Sequence, residues 1–246
     1  MTDYVTFLCD TSSLAPATIR TRVLAIAFFY KTRLNYDPTK SPATDLLVKA
    51  LVRQAVVKKK LPITQSVLKR LLLGLYQYDS IYLIHMFYIM YKFMYIMALR
   101  VSELLDYSVN FDHALKYEDM TYNTKEVHVT IRSSKHNVRP MSYTFACDHR
   151  LFWHINEYIR LRGRHAGPLF CFKDKISVSR QFFADKLQED LSLLGYDNNS
   201  FNTHSFRAGR TTDLALEGAS DRQIAIIGRW QSDAFREYIR PTHVYL

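Results

Sequence analysis

The stretch "NTHSFRAGR" sets His204 and Arg207 three residues apart, a spacing that projects both from one face of a helix. Taken alone, such a pair is commonplace on a surface or in a structural ion pair. Further along, "RWQSDAFREYIRP" carries Trp230 and, eight residues later, Tyr238, just ahead of Pro241. Upstream, "MALRVSELL" places Arg100 and Glu103 at the end of a long apolar run; an arginine there can satisfy the helix dipole or pair with the carboxylate. Guanidinium forks bind phosphate through paired hydrogen bonds, and imidazole and indole N–H groups donate as well. Two arginines, a histidine and a tryptophan can therefore hold an anion beside a phenol, if the fold unites positions scattered from 100 to 238.

The elements that must do this read mostly as helices. Apolar residues at Ile19, Val23, Ala27, Phe28 and Leu34 predict a helix decorated by Arg20, Arg22, Lys31 and Arg33, and "NYDPTKSPATD" breaks the pattern with two prolines. A second helix is expected over Leu46–Val57, ending in "KKKLPIT". That lysine run is either a solvated patch or a linker lying on phosphates, and it marks the domain boundary. Helices follow over Gln65–Tyr78 and Ser80–Leu99, with a shorter one from Ser102. The period then changes from helical to alternating: "EVHVTIRSSKHNVRPMSYTFA" predicts a β-hairpin with Lys135 at its tip. Helices resume over His149–Arg162 and Ser177–Leu194, the latter closed by Gly195. A helix from near His204 stops at Gly218, Ser220 and Gln223 form a capping-box pattern for the next, which ends at Gly228, and Ser232 caps a terminal helix bearing Tyr238.

The chain of 246 residues has a formal charge of +10, which implies an anionic partner, with nucleic acid the commonest for a compact basic protein. Residues 1–60 hold ten Lys and Arg against four Asp and Glu, whereas the remainder holds 23 against 19. Cys9, Cys147 and Cys171 are widely spaced and form no CxxC pair, so neither a disulfide framework nor a zinc module is expected, and a reducing compartment fits. Metal ligation is not indicated by the nine histidines, which show no HExxH spacing. "MTDYVTFLCD" lacks the basic start of a secretory leader. "IYLIHMFYIMYKFMYIMAL" is apolar enough to suggest a membrane span, but Lys92 and His85 interrupt it. A lysine at a bilayer centre costs about 2.5–3.5 kcal/mol, so a buried core helix is expected instead.

In their order along the chain, "ALRVSELL", the lysine of "RSSKHN", "HSFR", "GRWQSDA" and "YIRP" resemble the tyrosine recombinase family, the phage-integrase type of DNA breaking and joining enzymes. The resemblance covers nearly the whole chain. "KKKLPIT" and "HSFRAGRTTDLALEGASDRQIAIIGRWQSDAFREYIR" look most like recombinases of Crypton and DIRS-type mobile elements. The resemblance implies a mainly α fold with a small antiparallel β-sheet. Residues 1–58 would form a short helical, SAM-like DNA-binding module, 59–61 a basic linker and 62–246 the catalytic domain.

It also implies roles. Tyr238 would be the nucleophile, forming a phosphotyrosyl bond that conserves energy for religation, so that no cofactor or metal is needed. Arg100 and Arg207 would neutralise the nonbridging oxygens, with Trp230 and His204 as further donors. Lys135 would protonate the leaving 5′-hydroxyl, His204 would position or deprotonate the tyrosine, and Glu103 would orient Arg100. Tyr245 lies beyond Pro241 and Tyr158 sits in an amphipathic helix, so neither competes with Tyr238. Arg20, Arg22, Lys58, Lys59 and Lys60 are the expected phosphate contacts. The partners implied are double-stranded DNA and further copies of the chain in a tetramer that exchanges strands through a Holliday junction. No membrane and no small-molecule substrate are expected, and the location would be intracellular, nuclear for a eukaryotic element. Two other readings remain: a DNA-binding protein that has ceased to catalyse, and a topoisomerase-like enzyme that relaxes supercoils by the same chemistry.

Overall fold

A computed structural model describes residues 1–54, 59–105, 114–132 and 140–240. The chain divides into two compact units, Met1–Lys59 and Lys60–Leu246. Among its described residues the first holds three helices, α1 (Thr2–Thr11), α2 (Pro16–Leu34) and α3 (Pro42–Gln54). Val5 and Leu8 of α1 pack with Ile19 and Val23 of α2, and Leu47, Val48 and Leu51 of α3 close over them. The helix α1 has no counterpart in the sequence reading. The prolines at 16 and 42 open α2 and α3 rather than merely ending what precedes them, because proline's fixed φ and missing N–H suit a first helical turn. Arg20 and Arg22 are both exposed, yet two residues along a helix diverge by about 200°, so they face different directions.

The second unit is built around α5 (Ile81–Ile96), whose N-cap Ser80 accepts from the Leu83 N–H. Apolar on nearly every side, α5 is buried along almost its whole length, as such a helix must be. Around it pack α4 (Gln65–Gly74), α7 (His149–Arg162) and α9 (Ser205–Leu216). Among the described residues no helix is long and apolar enough to cross a membrane. A three-stranded antiparallel sheet has the order β1 (Met120–Tyr122), β2 (Glu126–Ile131), β3 (Met141–Ala146). Val127, Val129 and Ile131 of β2 face the core opposite Phe145, Tyr143 and Met141. The hairpin matches the alternating pattern, whereas β1, three residues long, is too short to show a period.

The other α-helices of this unit, among the described residues, are α6 (Val101–Leu104), α8 (Arg180–Leu193) and α10 (Asp221–Gly228). α8 begins later than its apolar pattern suggests because Ser179 caps it, accepting from the Phe182 N–H. The capping box of Ser220 and Gln223 forms as its spacing predicts. The terminal segment, Asp233–Tyr238, is a 3-10 turn rather than an α-helix, and Ser232 makes no side-chain capping bond to it. The stretch after Lys60 is stitched into the second unit: the Leu61 N–H donates to the Ser200 carbonyl and the Ile63 N–H to that of Ser205. Gly209 permits this approach, since a Cβ there would lie 1.7 Å from the Ile63 carbonyl oxygen.

Candidate active site

The turn that leaves α5 is where the site begins. Ala98 adopts a left-handed φ of 44°, after which Arg100 takes the N-cap position of α6. Glu103, one turn on and fully buried, accepts from the Arg100 backbone N–H at 2.8 Å and from its Nη1 at 3.1 Å. The same carboxylate accepts from Arg229 Nη2 at 2.6 Å. Glu103 therefore bridges two arginines that lie 129 positions apart in sequence, Arg100 and Arg229.

Arg229 was not among the expected site residues. It stands at the C-cap of α10 with φ 59°, and its guanidinium also donates to the carbonyls of Met97 at 2.8 Å and Ala98 at 3.1 Å. A cation after a helix-ending glycine reads in sequence as dipole compensation, and nothing local shows that it runs back to α5. Its adjacency to Trp230 in "GRWQ" is the one available signal.

Arg207, on the first turn of α9, is wholly buried. Its Nη1 donates to the Ala98 carbonyl at 2.7 Å and its Nη2 to that of Gly228. Its Nε–H has no acceptor among the described residues. One face is covered by the Trp230 ring, whose centroid lies 3.9 Å from the guanidinium carbon, and the Tyr238 ring stands 5.7 Å away. Trp230 and Tyr238 are themselves in contact, with centroids 5.3 Å apart. Gly228 makes room for this stack: a Cβ there would fall 1.5 Å from the indole ring. Burial, followed by repulsion from Arg100 and Arg229, lowers the Arg207 pKa to about 9, so it remains a cation at neutral pH.

His204 occupies the N-cap of α9, its ring reaching solvent and its backbone N–H donating to Asn202 Oδ1 at 2.9 Å. Partial desolvation, then the charges of Arg207, Arg100 and Arg180, hold its pKa below the ordinary imidazole value. The fold thus gathers Arg100, Glu103, His204, Arg207, Trp230 and Tyr238 in one neighbourhood of the second unit and adds Arg229. Lys135 and Lys58 lie outside the described residues. Lys59 and Lys60 are exposed, and the Lys60 ammonium donates to the Asn199 carbonyl.

Three guanidinium groups, two of them paired to the carboxylate of Glu103, leave a local excess of positive charge among the described residues. Such an arrangement binds an anion, and the adjoining phenol and imidazole can act on it.

The profile of the phage integrase family matches residues 63–242. No curated protein sequence matches the chain. Among solved structures, the Tn1549 transposon integrase in complex with circular intermediate DNA is similar over 97% of this chain and 79% of its own, with 13% identity and a TM-score of 0.68. XerH site-specific recombinase bound to palindromic difH substrate matches over 95% of this chain and 64% of its own, with 15% identity and a TM-score of 0.67. A lambda integrase dimer bound to a COC′ core site is similar over 100% of this chain and 66% of its own, with 10% identity and a TM-score of 0.65. At these identities the likeness is one of fold: a mostly helical protein with a small antiparallel sheet.

Proposed function

The chain belongs to the phage integrase family, and from that premise we propose that it is a site-specific recombinase that cuts and rejoins duplex DNA through Tyr238. The observation that carries this reading is the gathering of Arg100, Arg207 and Arg229 near the carboxylate of Glu103, which pairs with Arg100 and Arg229, beside the rings of Trp230 and Tyr238. A backbone phosphate supplies the missing negative charge.

In the proposed step, the Tyr238 phenolic oxygen attacks the scissile phosphorus, the bond to the 5′-oxygen breaks, and a 3′-phosphotyrosyl link forms. His204, kept neutral by its surroundings, accepts the phenol proton, and Lys135 gives a proton to the departing 5′-oxygen, which leaves as a hydroxyl. Arg100 and Arg207 balance the charge that builds on the nonbridging oxygens. The reverse reaction, with a 5′-hydroxyl of the partner strand, reseals the backbone. Trp230 covers the face of Arg207, so the phosphate must approach its edge, where the Nε–H has no acceptor among the described residues. Tetramer assembly, a Holliday junction and a mobile-element role of the Crypton or DIRS kind belong to the same proposal.

The test is incubation of the full chain with a pool of nicked suicide duplexes in EDTA. A covalent protein–DNA adduct is expected for the parent and none for Tyr238→Phe. An adduct that persists in the variant, or no adduct with the parent, would overturn the assignment.

A further inference from the structure

Two buried threonines stand side by side on α9, yet their hydroxyls go different ways. Thr211 Oγ1 donates to the Arg207 carbonyl at 2.7 Å, one turn back along its own helix. Thr212 Oγ1 reaches out of the helix: it donates to the Tyr238 carbonyl at 3.3 Å and accepts from the Arg240 backbone N–H at 2.9 Å. A single hydroxyl thereby closes over the backbone that carries the phenol. Tyr238 is the last residue of the 3-10 turn and Ile239 is extended. The final carbonyls of a helical turn lack partners within it, and Thr212 supplies one for Tyr238.

Apolar contacts hold the same segment, since Phe235 packs with Leu214 and Ile224, and Ile239 lies against them. Such contacts are non-directional, whereas hydrogen bonds have preferred angles. The pair made by Thr212 therefore fixes how the backbone at 238 is turned, and with it where the phenol points. Thr212 follows Arg207 on the same helix, about 7.5 Å further along its axis. One rigid element thus carries both the guanidinium proposed for the phosphate and the hydroxyl that holds the backbone of Tyr238.

We propose that Thr212 is a positioning residue for Tyr238: its hydroxyl sets the approach of the phenol to a phosphate held at Arg207. The role in cleavage rests on the recombinase reading; the clasp on the 238–240 backbone does not.

The experiment compares Thr212→Val, which keeps the shape and loses the hydroxyl, with Thr212→Ser, which keeps the hydroxyl, and Thr211→Val, which loses a hydroxyl directed within α9. In the full chain without DNA, hydrogen–deuterium exchange over residues 236–240 should quicken in Thr212→Val and stay at the parent's level in the other two. Unchanged exchange in Thr212→Val would overturn the clasp. With the nicked suicide duplexes in EDTA, at protein concentrations that saturate the DNA, Thr212→Val should form the adduct about 10–10²-fold more slowly, because a misplacement of about 1 Å at a reacting group can cost about 10²-fold. Affinity for the same duplexes should hold steady, and Thr212→Ser should recover most of the rate. A parent-like rate in Thr212→Val, or a loss that Thr212→Ser or Thr211→Val shares in full, would refute the positioning role. Far-UV circular dichroism and melting temperatures establish that the variants are folded, and Thr212→Ala serves as a second variant without the hydroxyl. Absence of an adduct from the parent would instead sink the recombinase reading, with the exchange result left to decide the clasp.

Discussion

Two buried arginines in the second unit differ in how their donors are used. Arg162, at the end of α7, donates from Nε to Leu169, from Nη1 to Gly163 and His165, and from Nη2 to Gly167 and Pro168, all of them backbone carbonyls. Its guanidinium also lies over the Tyr117 ring. Arg207 is more deeply buried, but among the described residues only its two Nη groups reach carbonyls, and its Nε–H has no acceptor. It also shares its neighbourhood with two further cations. Burying an arginine with every donor matched fastens a loop; burying one with donors unmatched and like charges nearby sacrifices stability. The difference teaches that burial alone does not mark a structural arginine, because unspent hydrogen-bonding capacity is what a ligand can use.

Exchanging the two arginines for glutamine gives the sharpest contrast. Arg207→Gln should slow adduct formation by about 10²–10³-fold, the loss typical of one oxyanion donor, with a melting temperature at or above the parent's. Arg162→Gln should do the opposite, retaining the adduct in folded protein while losing about 3 kcal/mol in urea unfolding. If Arg207→Gln unfolds the protein and Arg162→Gln does not, the distinction collapses.

Glu103→Gln probes the carboxylate that the cation-rich site depends on. Removing one partner of a buried ion pair costs about 3–5 kcal/mol, and here both Arg100 and Arg229 lose it, so stability and adduct formation should fall together. An unchanged denaturation midpoint would show that the guanidinium cluster does not need its counterion. Gly228→Ala is gentler: the added methyl displaces the Trp230 indole from Arg207. A loss of about 1–3 kcal/mol is expected from such overpacking, with slower cleavage, and retention of both values would show that the ring stack is dispensable.

The α7 side offers an effect that depends on pH. His154 and His85 are buried with their Nδ1 atoms 2.9 Å apart, and Tyr88 stacks on His154 at 3.6 Å. Desolvation, then the charge of His85, lowers the His154 pKa from 6.5 to about 3. Between those values the unfolded histidine binds a proton that the folded one does not, so stability falls as pH drops from 6.5 towards 3. His154→Phe should flatten that part of the stability profile measured by urea unfolding. A slope as steep as the parent's would assign it to other groups.

Much of this architecture was legible beforehand. Ser80 and the apolar run after it mark α5, the alternation of Val127, Val129 and Ile131 marks β2, and Ser220 with Gln223 marks the start of α10. Each signal is local, resting on a cap or a period within a few residues. β1 was missed because three residues carry no period, and α1 because only Val5 and Leu8 are buried, too sparse a pattern to stand out. The mixture of residue types at the candidate site could be read from the motifs, but Arg229 could not, since its partners, Met97, Ala98 and Glu103, belong to a distant segment.

By itself, then, the order of residues determined the helices, the hairpin and the inventory of cations, rings and phenol, because caps and hydrophobic periods act over a turn or two. Only the tertiary structure decided that Arg162 closes a loop while Arg207 keeps a donor in reserve. The two side chains are chemically identical, and the carbonyls that satisfy one or fall short for the other are delivered by backbone from elsewhere in the fold: Ala98 and Gly228 in one case, the loop after α7 in the other.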